Sequence, residues 1–157
     1  MEQFVVSKEV EFDAGHRVPL HESKCRNPHG HRYKVIAYIA GNLQSEGAAS
    51  GIVMDFTDIK VALTEEIHDL FDHGFIIHKD DTVMLDALGV YAIAPIGGEG
   101  HNTHNFKIIV VDWTPTAEEM ARFVYNTLKQ RLPGLISIDV FETPTSRASY
   151  PYRPGQN

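Results

Sequence analysis

The chain has 157 residues, 43% of them hydrophobic and 22% charged, which excludes a disordered tail or a fibre and suits one globular domain over residues 1–157. Its formal net charge of −7 argues against nucleic-acid binding, which needs a dense basic face, yet leaves room for an anionic small substrate. Apolar runs such as Ile108–Val111 fall far short of the roughly 20 residues that span a bilayer, and Glu2, Lys8, Glu9 and Glu11 break any leader-like opening, so a cytoplasmic protein off the membrane is expected.

Phe4, Val6, Val10 and Phe12 share one face of an imperfect alternation, which predicts a first strand. Residues 15–30 are polar and carry two prolines, so they form a long loop, and a long ordered loop is usually functional. Tyr33, Val35, Ile36, Tyr38 and Ile39 predict a second strand over 32–41. Ile59, Leu63, Ile67 and Leu70 recur at helical spacing over 57–71, with Asp55 or Thr57 as the cap. Residues 78–105 contain Gly89, Pro95, Gly97, Gly98 and Gly100 and read as a loop or lid. A short strand is expected within 106–112.

The second helix is clearer. Pro115 suits a first helical position, Thr116 and Glu119 have capping-box spacing, and Ala117, Met120, Ala121, Val124, Leu128 and Leu132 form one apolar stripe that ends at Pro133-Gly134. A strand follows over 135–142, with Ile136, Ile138, Val140 and Glu142 on one face. A last strand over 147–152 is confined by Pro151 to an edge or a bulge. The order predicts an α+β fold, an antiparallel sheet with two helices on one face.

Nine histidines exceed the three or four that ordinary usage gives, roughly, in a chain this long. His29-Gly30-His31 at the entry to the second strand puts two imidazoles on one face. His16 ends the first strand region and joins them if the two strands pair across the loop. Three imidazoles with one open position suit catalytic Zn2+, though iron or nickel accepts the same ligands. Without that pairing, His29 and His31 are two solvent-facing strand residues. Cys25, the single cysteine, lies four residues before His29 with Lys24 and Arg26 beside it. Cationic flanks favour the thiolate, a base for a nearby proton, and the alternatives are a fourth metal ligand or an inert thiol. Asp72-His73, released by Gly74 at the end of the first helix, suits an acid–base pair or a histidine at a helix C-terminus. Glu142, ending an apolar strand face, is either a grip for a paired donor edge or a residue emerging into solvent.

Five motifs in chain order carry a resemblance: Phe12-Asp13-Ala14-Gly15-His16, Cys25-x-x-x-His29-Gly30-His31, Asp72-His73-Gly74-Phe75, Pro115-Thr116-Ala117-Glu118 and Glu142-Thr143. Together they resemble the 6-pyruvoyltetrahydropterin synthase / 6-carboxytetrahydropterin synthase family over nearly the whole chain. The resemblance implies zinc on His16, His29 and His31, Cys25 as proton acceptor, His73 with Asp72 delivering protons, and Glu142, with Thr116 nearby, anchoring a pterin. It implies 7,8-dihydroneopterin triphosphate as substrate. It also implies a tunnelling fold, in which trimers close their sheets into a barrel and two trimers stack into a homohexamer with sites between subunits. Three residues between Cys25 and His29 resemble the bacterial queuosine branch, a lyase forming 6-carboxy-5,6,7,8-tetrahydropterin with release of acetaldehyde and triphosphate. The alternatives are elimination of triphosphate to 6-pyruvoyltetrahydropterin, a pterin-binding module without catalysis, and a purely structural metal site. His101 and His104 belong to a stretch that looks longer than in compact members, read as a solvated loop or a lid. Lys24, Arg26, Arg147 and Arg153 are phosphate candidates by charge alone.

Overall fold

The computed structural model describes residues 2–94 and 98–152. β1 (Phe4–His16) and β2 (His29–Gly41) form a long antiparallel pair, in register from Phe4 opposite Gly41 to His16 opposite His29. The second strand therefore begins three residues earlier than its β-branched run, and both histidines of the His29-Gly30-His31 motif lie inside it. Gly30 permits this pairing: a Cβ there would stand 3.0 Å from the Ala14 carbonyl oxygen.

The first helix starts at Asp55, whose side chain accepts the Thr57 N–H at 2.7 Å. It runs as α1 (Phe56–Leu63), a π-helical turn over Thr64–His68, and α2 (Asp69–Phe71). β3 (Gly74–His78) follows at once. The stretch read as a loop is more ordered than its glycines suggest. It holds α3 (Thr82–Ala87), capped by Asp81, and the hairpin strands β4 (Val90–Ile93) and β5 (Gly100–Asn102). Pro95 and Gly97 lie outside the described residues. Gly98 and Gly89 have positive φ, so these glycines serve turns between short elements.

β6 (Ile108–Val111) is followed by α4 (Ala117–Leu128). Thr116 is the N-cap, accepting the Glu119 N–H at 3.4 Å, which puts Pro115 before the cap rather than at the first helical position. β7 (Leu135–Thr143) and β8 (Ser146–Tyr150) end the fold, and β8 lies at a sheet edge, as Pro151 requires. A register shift between Tyr38 and Ile39 places Leu135 opposite Ile39, so Leu135 is buried and Ile136 only partly so.

The six-stranded sheet has the order β6-β3-β1-β2-β7-β8. Four strands are antiparallel, as expected. β3 and β6 extend the sheet in parallel on the far side of β1. Both helical segments cover one face. Phe12, Tyr33, Val35, Ile138 and Val140 from the sheet pack with Ile59, Leu63, Ile67 and Phe71 from the first helical run and Met120, Val124 and Leu128 from α4. Phe12 stacks on Tyr33 and on Phe71 at 5.3 and 5.5 Å between ring centroids. Each large side chain in such a core contributes about 1.5–3 kcal/mol through burial. Among the described residues no helix is long and apolar enough to cross a membrane.

Candidate functional site

Strand pairing assembles the histidines. His16 stands directly opposite His29, and His31 is opposite Ala14, two residues back along β1, so all three side chains project to one face. Their ring centroids lie 4.6, 5.1 and 4.9 Å apart, and one ligand atom from each falls within 4.8 Å of the others.

The donor set fits a metal. His16 Nδ1 is 2.7 Å from the Pro115 carbonyl and His29 Nδ1 is 2.7 Å from the Asn27 carbonyl. A carbonyl only accepts, so each Nδ1 carries the proton and each Nε2 keeps a free lone pair. The Nε2 atoms of His16 and His31 are buried without a hydrogen-bond partner. Burial, followed by the neighbouring His29 and His31 against the Pro115 bond, lowers the His16 pKa from 6.5 to about 4. Burial also lowers that of His31. Both shifts favour the neutral imidazole at His16 and His31, the form that binds metal.

Glu142 turns inward. Its Oε1 is 3.4 Å from His16 Nε2 and 3.8 Å from His31 Nε2, and the buried Tyr33 hydroxyl donates to its carboxylate. Burial and then the Glu142 charge push the Tyr33 hydroxyl up, keeping it a donor. The solvent-facing reading of Glu142 does not hold.

Cys25 sits in a 3₁₀ turn over Lys24–Arg26 and is partly buried. It lines a cavity of about 270 Å³ together with His16, His21, Thr116, Glu142 and Arg147. The Cys25 thiol, the His16 imidazole, the inward Glu142 carboxylate and the Arg147 guanidinium thus share one space. Arg147 also reaches the buried Asp139 at 3.4 Å. Lys24 and Arg26 flank the thiol but do not line the cavity, and Arg153 lies outside the described residues. His101 is near Tyr91 on the β4–β5 hairpin, and His104 stacks on Phe106, so neither comes to the cavity. His21 was not singled out by its sequence context. Its only signal was the surplus of histidines in a loop.

Asp72 and His73 are placed elsewhere in this chain. Helix α2 ends at Phe71, and His73 takes a left-handed φ of 59°. Its N–H donates to the Asp13 carbonyl at 2.7 Å, while Asp72 Oδ1 accepts the Asp13 N–H at 3.1 Å. His73 Nδ1 is 2.7 Å from Asp72 Oδ2. The Asp13 N–H, then His73, hold the Asp72 carboxyl below the usual range. His73 borders a second cavity with Asp13, Gly15, Gly30, His31 and Arg32. Asp13 and Arg32 alternate with the buried core residues of their strands, whereas His31, which also lines the cavity, belongs to the histidine cluster.

The model of the family described as 6-pyruvoyl tetrahydropterin synthase matches residues 5–153. The chain is 37% identical to the 6-carboxy-5,6,7,8-tetrahydropterin synthase of Haemophilus influenzae, over 94% of this chain and 98% of the relative. It is 33% identical to the enzyme of the same name from Aquifex aeolicus, covering 92% and 96%. Among solved structures, an uncharacterized protein from Wolinella succinogenes aligns with a TM-score of 0.76 at 26% identity, covering 95% and 98%. The 6-pyruvoyl tetrahydropterin synthase of Caenorhabditis elegans shares the fold, with a TM-score of 0.64 at 21% identity over 96% of both chains. Five motifs in register, the histidine cluster and these matches lead to one conclusion: the chain belongs to the 6-pyruvoyl tetrahydropterin synthase family, with the tunnelling fold.

Proposed function

We propose that this chain is a zinc-dependent lyase converting 7,8-dihydroneopterin triphosphate, with water, to 6-carboxy-5,6,7,8-tetrahydropterin, acetaldehyde and triphosphate. The lyase class accords with the names of the curated relatives. The observation that carries the reading is the cluster of His16, His29 and His31, with two buried partnerless nitrogens, set beside a cavity that His16 shares with the inward Glu142 carboxylate and the single thiol. His16, His29 and His31 hold the metal, which supplies Lewis acidity toward the substrate's side-chain hydroxyls.

The remaining work falls to the chain's own groups. Glu142 accepts the paired N–H donors of the pterin edge, a bidentate contact that orients the ring. Thr116 flanks it. The Cys25 sulfur would serve as the base that removes a proton from a hydroxyl-bearing carbon of the substrate's side chain. Arg147 is the cation that lines the cavity and suits the triphosphate. His73, held by Asp72, does not line the Cys25 cavity of its own chain, which favours a site completed by the His73 of a neighbouring subunit. A hexamer built as a dimer of trimers brings such edges together.

The carboxy product is favoured by the relatives' names and by the three residues between Cys25 and His29. The family model's own name keeps 6-pyruvoyltetrahydropterin as the second reading. Incubation of zinc-loaded protein with the pterin triphosphate, followed by mass spectrometry, decides between them. Acetaldehyde with carboxypterin supports the proposal, and pyruvoylpterin supports the alternative. No turnover, with ligand binding unchanged in Cys25→Ala, leaves a binding module and refutes both.

A further inference from the structure

The thiol's position is set by a loop rather than by a strand, and one ion pair ties that loop to the body of the fold. Arg17 follows His16 directly. Its Nε and Nη2 donate to the two carboxylate oxygens of Asp81 at 2.6 and 2.5 Å, a fork that crosses 64 residues of sequence. Asp81 is buried, and its side chain also caps α3 by accepting the Met84 N–H at 3.3 Å. The third arm of the guanidinium, Nη1, donates to the Arg26 carbonyl at 3.3 Å. The Val18 N–H donates to the Cys25 carbonyl at 2.9 Å. Both carbonyls around the thiol are therefore pinned to the two residues that extend β1 beyond His16. Other bonds of this loop, from His21 N–H to the Val18 carbonyl, Ser23 N–H to His21 Nδ1, Arg26 N–H to the Ser23 carbonyl and Asn27 N–H to the Lys24 carbonyl, close within the loop itself, and the Asn27 carbonyl is held by His29 at the start of β2.

We propose that Arg17 and Asp81 are a positioning pair, holding the Cys25 turn against the end of β1 so that the thiol stays in the cavity it shares with His16. Neither residue lines that cavity, so neither touches the reacting atoms. The planar fork is what the role requires. It saturates both oxygens of a buried carboxylate and still leaves one N–H directed at the turn, which a lysine ammonium cannot reproduce with fixed geometry. The pair joins the end of β1 to the segment after β3, so the turn inherits the rigidity of two paired strands. The inference rests on the proposed role of Cys25 for its effect on turnover, while its structural content stands without it.

The test uses full-length zinc-loaded protein with Arg17→Met, Arg17→Lys and Asp81→Asn. Arg17→Met leaves the Asp81 cap of α3 in place. Arg17→Met with Asp81→Asn removes both charges together, so that no unpaired ion is buried. Expected are faster alkylation of Cys25 by iodoacetamide and faster hydrogen exchange at Val18 N–H. A kcat reduced about 10- to 100-fold with KM within about threefold is also expected, the scale of an ångström's misplacement of a reacting group. Zinc content should be unchanged, and Arg17→Lys should recover only part of the loss. Alkylation and exchange rates equal to wild type in the folded variants overturn the pair's role. A wild type without pterin turnover overturns the proposed function instead, and alkylation and exchange still decide the tether.

Discussion

His16 offers the sharpest prediction, because its environment converts directly into a pH dependence. Its imidazole is 2% exposed, and its pKa falls from 6.5 to about 4 on folding. Between those two values the unfolded chain binds the proton that the folded chain refuses, so acid favours unfolding. The group leaves stability untouched above pH 6.5, reduces it steadily as pH falls through this window, and adds nothing further below about pH 4. The full drop is worth about 3 kcal/mol. His16→Gln removes the titrating group and retains an amide N–H for the Pro115 carbonyl. Urea unfolding of metal-stripped wild type and variant across that range isolates the group, since His31 and every carboxylate remain in both. The wild type is expected to lose about 3 kcal/mol more than the variant between neutral pH and pH 4. Zinc at about 100 times its dissociation constant should then stabilise the wild type at neutral pH by about 2.7 kcal/mol, with a much smaller gain in His16→Gln. Superimposable pH profiles for the two proteins would refute the claim that a buried neutral imidazole waits at this position.

Other expectations bear on the rest of the site. Glu142→Gln removes the charge proposed to accept the pterin edge and should raise KM about 10- to 100-fold in steady-state assays, about 1.5–3 kcal/mol for a charge-assisted contact. An unchanged KM would remove Glu142 from the pocket's recognition. Inactive Cys25→Ala and His73→Ala chains, unfolded and refolded together, should regain activity, because random assembly leaves roughly a quarter of shared sites intact. A mixture as dead as its parents would place both groups in the same subunit's site. Phe12→Ala should cost about 3–5 kcal/mol in chemical denaturation, since the ring is stacked between Tyr33 and Phe71. A loss below about 1 kcal/mol would mean that the core collapses into the space.

The segments read correctly from the chain were those whose periodicity is local. Met120, Val124 and Leu128 form the stripe of α4 whatever lies beneath it, and β-branched residues mark β2 in isolation. The glycine-rich stretch misled because its glycines separate short elements, which looks in sequence like one long loop. β3 was hidden for a related reason. Of the five residues added in parallel to β1 and β6, three are buried and none is exposed, so they show no clean alternation. Cys25, Thr116 and Glu142 were legible as chemistry, but nothing local placed His21 or Arg147 beside them.

By itself the sequence determined the ligand types, their spacing of two along one strand and the family motifs, since these depend on residue identity and on the fixed alternation of an extended chain. Tertiary structure decided which imidazoles meet. The register that sets His16 against His29 is a pairing between distant segments, selected by the burial of Phe12, Ala14, Tyr33 and Val35 on a common face. It also decided that Glu142 points inward and that His73 lies outside the cavity of Cys25, because both outcomes depend on neighbours supplied by other strands.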